Sequence, residues 1–289
     1  MAVTIDSKMV AQLREKTGAG MMDCKKALTE SEGDFDKAIE ILRTKGMASA
    51  EKKASRATKD GSISMNISED GKTGLLMEMN CETDFVACTE QFQDLVKGMM
   101  QQAIDNKFES KDQFPKEEIT AFIAKLGENT SIGNFARFSL TGTGLTGGYL
   151  HPSPKPGIHK LGVLIELETG AEVSPSDEKL KTLIRDIAMQ VASQKPEYVT
   201  RDQVPADVLQ KEKEIYMEQA KQEGKPANIL EKIASGKLEK FYSMVCLVDQ
   251  SFIKDDKMTV GQLVEAKAKE LGFAVKIVRF ARFKVGEAA

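Results

Sequence analysis

Gly74-Leu-Leu-Met-Glu-Met79 recurs 88 residues later as Gly162-Val-Leu-Ile-Glu-Leu167, and the chain beyond each copy keeps step. Phe92, Leu95, Val96 and Met99 fall at the same offset on Leu180, Leu183, Ile184 and Ile187. Each short apolar run suits a buried strand, and each later set repeats at the spacing of one helix face. The same strand, loop and helix therefore occur twice, which is the mark of an internal duplication. A second echo lies 145 residues apart: Leu126-Gly127 and Phe135-Ala-Arg-Phe138 return as Leu271-Gly272 and Phe280-Ala-Arg-Phe283. The two offsets differ by about 57 residues, so the second copy is expected to hold an insertion of that size between its helices.

The insertion is visible in Pro205 to Glu223, which is charge-dense with a thin stripe through Val208, Ile215 and Ala220. Gly224-Lys-Pro226 is a turn signal, and Ile229, Ile233, Leu238 and Phe241 continue on the return. A narrow apolar seam with charged flanks predicts an antiparallel helical hairpin over about 205–245.

Before the first repeat, Ile63, Met65 and Ile67 alternate with polar residues. Asp70-Gly71 turns the chain into Leu75, so a strand hairpin is expected. The first 46 residues read as three short helices. Ser7 is placed to cap the first, with Val10 and Leu13 on one face, and Gly18-Ala19-Gly20 ends it. A second spans about Met21 to Thr29. Gly33-Asp34 opens a third through Phe35, Ala38, Ile39 and Leu42, closed by Gly46. Residues 47–61 carry Lys52, Lys53, Arg56 and Lys59 and read as a solvated helix end and linker. The fold class is therefore α+β. It comprises a helical unit at 1–54, a core half at 55–140, and a second half at 141–289 holding the hairpin.

The 289 residues suffice for a hydrophobic core without disulfides or a structural metal. A net charge of −3 argues against a protein-wide nucleic-acid surface. No apolar run is long enough to span a membrane, and Met1 to Asp6 has no basic-then-apolar signal pattern. Cys24, Cys81, Cys88 and Cys246 are scattered and read as reduced thiols, with a cytoplasmic location expected. Cys81 and Cys88 are too far apart for a usual zinc site, and no metal or cofactor is expected.

Gly142-Thr-Gly-Leu-Thr-Gly147 matches a dinucleotide-loop pattern, but Pro152 and Pro154 follow where a helix is required. It reads instead as a glycine-rich connection between the repeats. His151 and His159 lie in a Pro-rich segment with no nucleophile or orienting carboxylate marked beside them, so no catalytic set is predicted. One stretch departs from its twin. Glu82-Thr-Asp-Phe-Val86 corresponds to Gly170-Ala-Glu-Val-Ser174. A requirement of the fold belongs in both copies, so an aromatic in one alone points to a task of that copy. Phe85 reads as a wedge or as a core ring, and Asp84 as an anionic tip.

With these residues in view, the chain closely resembles the bacterial elongation factor Ts family over almost its full length. The resemblance rests on Leu13-Arg-Glu-Lys-Thr-Gly-Ala-Gly-Met-Met-Asp-Cys-Lys-Lys-Ala-Leu28 and Asn80-Cys-Glu-Thr-Asp-Phe-Val-Ala87. Ile187-Ala-Met189, Lys195-Pro-Glu197, Gly224-Lys-Pro226 and Thr259-Val-Gly-Gln-Leu263 follow in order.

The resemblance implies a ubiquitin-associated-like head, a duplicated α+β core with antiparallel sheets, and an inserted helical hairpin. It implies a translation elongation factor rather than an enzyme, one that binds elongation factor Tu with GDP and promotes GDP release. In the family, the loop matching Thr83, Asp84, Phe85 and Val86 is linked to dislodging Mg²⁺ from that GTPase. Arg14, Met21, Met22 and Lys25 match head contacts to its nucleotide domain, and His151 matches a contact to another partner domain. The hairpin either touches the GTPase or pairs with a second copy, giving a homodimer or a two-plus-two complex.

Three departures stand out. Longer members carry a C-terminal helical module beyond the position of Val285-Gly-Glu-Ala-Ala289, so contacts made by that module are expected to be lost. The stretch from His151 to Leu161 is longer than usual. Ile132-Gly-Asn134 stands where relatives often have arginines. Two other classes remain. An RNA-binding translation factor would use Lys52, Lys53, Arg56, Arg137, Arg279 and Arg282 on phosphates, and its affinity would fall steeply with salt. A small-molecule enzyme on the duplicated core lacks a coherent acid, base and nucleophile. No membrane and no direct nucleic-acid partner is expected.

Overall fold

Asp6, not Ser7, caps the first helix of the structure, a computed structural model describing residues 5–226 and 229–287. Asp6 keeps an extended backbone and its Oδ1 accepts from Met9 N at 2.7 Å, which leaves Ser7 as the first helical residue. Helix α1 (Ser7–Thr17) ends at Gly18 in the left-handed conformation. Helices α2 (Met21–Glu30) and α3 (Phe35–Lys53) follow, the latter capped by Asp34. Val10, Leu13, Cys24, Ala27, Leu28 and Ala38 form their shared core. Gly46 does not close α3, which continues to Lys53. Its missing Cβ instead makes room for Ala124, whose Cβ would lie 3.0 Å from an added methyl. The basic residues after Gly46 mostly face solvent, as a helix end and linker should.

The first repeat consists of β1 (Asp60–Ile67), β2 (Thr73–Cys81), α4 (Asp84–Ala87), α5 (Glu90–Asp105), α6 (Lys116–Leu126) and β3 (Thr130–Ser139). The second runs through β4 (Gly144–Leu150), β5 (Leu161–Thr169), α7 (Glu178–Gln194), α8 (Ala206–Gln222) and α9 (Leu230–Val245). It ends with β6 (Ser251–Phe252), β7 (Asp255–Thr259), α10 (Val260–Leu271) and β8 (Val275–Lys284). Two antiparallel sheets result, ordered β1-β2-β3 and β4-β5-β8, beside the small β6–β7 ribbon. The α+β class follows, with β2 and β5 as matched central strands.

Alternation along those strands explains why both runs are continuously apolar. Leu75, Met77 and Met79 pack on Phe92, Val96 and Met99 of α5 and Phe122 of α6. Val163, Ile165 and Leu167 pack on α7 and α10 in the same way. Leu76 and Leu164 point to the opposite faces, where they meet with Ile63 and Phe138. The sheets therefore face each other, each backed by helices, and a strand covered on both sides needs no polar face.

The contact between them is reciprocal. A Cβ on Gly74 would lie 2.7 Å from Leu164 Cδ1, and one on Gly162 would lie 3.0 Å from Leu76 Cδ1. Gly74 corresponds to Gly162 and Leu76 to Leu164, so each repeat seats its leucine on the other's glycine, as in a two-fold interface. The buried acids correspond too. Glu166 accepts from Arg279 Nε at 2.7 Å, whereas Glu78 accepts from Asn134 Nδ2 at 2.6 Å. Asn134 thus replaces an arginine at the equivalent strand position and still satisfies the carboxylate.

The glycine-rich stretch 142–147 is not a connection, because Gly144 starts β4. Gly144 has φ 141° and Gly61 of β1 has φ 142°, and an added Cβ at either would lie 2.0 Å from a carbonyl oxygen of the neighbouring strand. We expect Gly61→Ala to destabilise the chain by about 1–3 kcal/mol from the backbone conformation alone, read as a lower urea midpoint. An unchanged midpoint would mean that β1 pairs otherwise.

The insertion folds as α8 and α9 packed together. Val204, Phe241 and Cys246 are buried in one cluster where the hairpin leaves the body, with Val208, Leu209, Tyr216 and Leu238 packed against it. Ile215, expected in the seam, is exposed, and Tyr216 takes the inward position. Ala227 and Asn228 lie outside the described residues.

Candidate functional site

Asn80 to Val86, expected as a loop, runs into a helical turn at Asp84. Thr83 Oγ1 accepts from Val86 N at 3.3 Å, so α4 begins at Asp84 and closes after four residues. Thr89 Oγ1 then donates to Val86 O at 2.8 Å and accepts from Phe92 N, which joins α4 to α5. Two acids fix the entry. Glu128 accepts from Thr83 N at 3.1 Å and from Thr83 Oγ1 at 2.7 Å. Glu82 accepts from Asn129 N at 2.6 Å and pairs with Arg56 at 3.4 Å. Asn129 Nδ2 donates in turn to the carbonyls of Ala54 and Arg56. Inside the turn, Ala87 is buried and Val86 packs on the first repeat's core. Cys81 beneath donates to Thr83 O, and burial pushes its thiol up to about 12, so it stays protonated.

Phe85 has none of these attachments. The residue is 81% exposed, the most exposed large apolar residue of the described chain. The reading of Phe85 as a core ring is thereby overturned. Its counterpart Val173 packs partly buried on the second repeat's core, with no helical turn at that place. An apolar ring held in water on a tethered turn suits an anchor for a partner pocket. Asp84 beside it is exposed, and Lys155 Nζ donates to its Oδ2 at 3.0 Å. That hydrogen bond, chiefly, holds the Asp84 carboxyl below the usual carboxylate range.

The other expected residues stand on separate elements. Met21, Met22 and Lys25 line the solvent face of α2, while Cys24, Ala27 and Leu28 turn inward. Met21 and Met22 are 55% and 63% exposed, enough for a contact patch. Arg14 is exposed on α1. Among the described residues, none of these four side chains shares a hydrogen bond or ion pair with the loop. His151 is exposed, and its Nδ1 lies 2.9 Å from Tyr149 Oη. It belongs to the same connection as Lys155, so the structure links His151 to the loop through one segment. No group of three or more His, Cys, Asp or Glu is placed to hold a metal among the described residues.

Sequence reasoning missed Glu128, Glu82 and Lys155. A signal existed for the first: Leu126-Gly127 is followed by Glu128-Asn129, whereas Leu271-Gly272 is followed by Phe273-Ala274. The copy with the distinctive loop also has distinctive polar residues to hold it. Lys155 carries no such signal, because it comes from the other repeat.

The family model described as Elongation factor TS matches residues 82–287. An elongation factor Ts of a Nitratiruptor species is 43% identical over 294 residues, covering 99% of this chain and 94% of the relative. One from Clostridium tetani (strain Massachusetts / E88) is 43% identical over 295 residues, covering 98% and 94%. One from Clostridium botulinum (strain Alaska E43 / Type E3) is 41% identical over 294 residues, covering 98% and 93%.

Proposed function

The chain belongs to the elongation factor Ts family and is a translation elongation factor; from that premise we propose that it binds elongation factor Tu with GDP and drives GDP release. The observation that carries the reading is Phe85, exposed on a turn whose neighbours are all fastened. No bond is made or broken. The chain acts by linkage: it binds the partner better when the nucleotide is absent or loosened, and so weakens nucleotide affinity by the same factor. Each ~1.4 kcal/mol of that coupling is worth about tenfold.

Mg²⁺ here belongs to the partner's nucleotide, not to this chain. It bridges phosphates to protein in a near-octahedral shell that tolerates little distortion. Phe85 enters between elements of the partner's nucleotide domain, and Asp84 brings a negative charge to the site. A small displacement of the Mg²⁺ ligands then removes the charge neutralisation that retains GDP, and GTP loads afterwards. Thr83 and Val86 hold the wedge turn. Arg14, Met21, Met22 and Lys25 dock the helical unit of residues 1–54 on the same domain, and His151 touches another. The halves at 55–140 and 141–289 act as one rigid support.

The direct test mixes purified elongation factor Tu, loaded with a fluorescent GDP, with this chain. Release accelerates many-fold if the reading holds, and an unaltered release rate overturns it. In the same assay, replacing Met21 and Met22 together by alanine should raise the chain concentration giving half-maximal effect by roughly tenfold, because two exposed apolar anchors are lost. The maximal rate should persist. An unchanged half-point would remove the head patch from the interface.

A further inference from the structure

A four-residue helical turn has almost no stability of its own, since nucleation fixes several residues for one or two hydrogen bonds. Tethers from outside must hold α4. Thr83 on Glu128 supplies one, from within the first repeat. The second comes from the opposite repeat. The connection between β4 and β5, His151 to Lys160, reaches over the first sheet and is fastened at its far end. Ile158 is buried, and Ile63 N donates to His159 O at 2.7 Å. His159 N donates to Ser62 Oγ at 3.2 Å, and Lys160 Nζ binds Asp60 and the carbonyl of Gly61. Lys155 therefore stands on an anchored span, so little loop entropy is lost when its ammonium meets Asp84. It lines the same shallow surface pocket as Cys88, the residue closing the turn. One side chain thus fastens the first residue of the element that displays Phe85.

We infer that Lys155 is a positioning residue for nucleotide release, acting through Asp84 to hold the turn that aims Phe85. This rests on the exchange reading above and extends it to a residue of the second repeat. Asp84 is the first residue of α4 and Phe85 the second, so freedom at Asp84 passes directly to the ring. The pair is half exposed on both sides, which sets a modest effect and leaves the global fold untouched.

Two readouts test it. In the free chain, hydrogen exchange at the Ala87 and Cys88 amides, which donate to Thr83 O and Asp84 O, should rise in Lys155→Ala while the unfolding midpoint stays fixed. In the release assay, Lys155→Ala should be slower by about twofold to fivefold, and Lys155→Arg should restore both readouts. A lysine acting only through Asp84 makes Asp84→Asn with Lys155→Ala no slower than Asp84→Asn alone. Unchanged amide exchange in Lys155→Ala, or a further loss in the double variant, overturns the inference. An inert wild-type chain overturns the exchange reading itself. An active wild type with an unaltered Lys155→Ala variant overturns the positioning role alone.

Discussion

Phe85→Ala slows release of labelled GDP from elongation factor Tu by about tenfold to a hundredfold at saturating chain. The size follows from what the ring gains. Burying a phenylalanine side chain is worth roughly 1.5–3 kcal/mol, and at about 1.4 kcal/mol per decade that gives one to two decades. The loss appears in the maximal rate if the ring works in the nucleotide-loosened state, and in the half-saturating concentration if it merely adds affinity. Folding is not at issue, because Phe85 is 81% exposed and belongs to no buried cluster of the first repeat. Its urea midpoint should stay within about 0.5 kcal/mol of the parent's stability. The matched change in the other repeat, Val173→Ala, should leave release untouched. A Phe85→Ala chain that releases GDP at the parent rate, with the partner fully occupied, would remove the wedge.

Leu164→Ala gives the largest loss of stability, about 2–5 kcal/mol. Leu164 is fully buried where the two sheets meet, among Ile63, Leu76 and Phe138. It also sits on Gly74, whose lack of a side chain lets it approach that closely. Glycine has no side chain with which to refill the gap, so the cavity collapses poorly and the loss falls toward the upper part of the range. Urea unfolding with an unchanged denaturant slope measures it. A changed slope would show that the halves unfold separately. A loss under about 1 kcal/mol would mean that the seam between the repeats contributes little.

These two residues divide what the fold does. Leu164 joins the repeats, and Phe85 marks where they stopped being equivalent. Across the seam, Lys155 of the second repeat meets Asp84 of the first.

Much of this was legible without coordinates. The run Gly74 to Met79 and its copy at Gly162 to Leu167 fixed the duplication, because strands covered on both faces are written as unbroken apolar stretches. Offsets gave the size of the hairpin insertion, because intervening length is conserved in chain arithmetic whatever the fold does, and the charge-dense run from Pro205 to Glu223 located it. The contrast of Phe85 with Val173 singled out one loop, since duplicated scaffolds share what folding requires. Local patterns erred where a neighbour distant in sequence decided. Gly46 looks like a helix stop until Ala124 of α6 is seen against it. Ile215 fits a stripe at helical spacing, yet the facing helix selects Tyr216. The stretch at Gly142 looks like a linker, although β5 takes it as an edge strand.

The sequence by itself determined most of the longer elements, their duplication and the residue types available at the loop, all of which depend on spacing along one chain. Only the tertiary structure decided that Phe85 faces water and that Glu128 and Lys155 hydrogen-bond to its turn. Exposure and ion pairing depend on which surfaces meet, and those surfaces lie 45 and 71 residues apart along the chain.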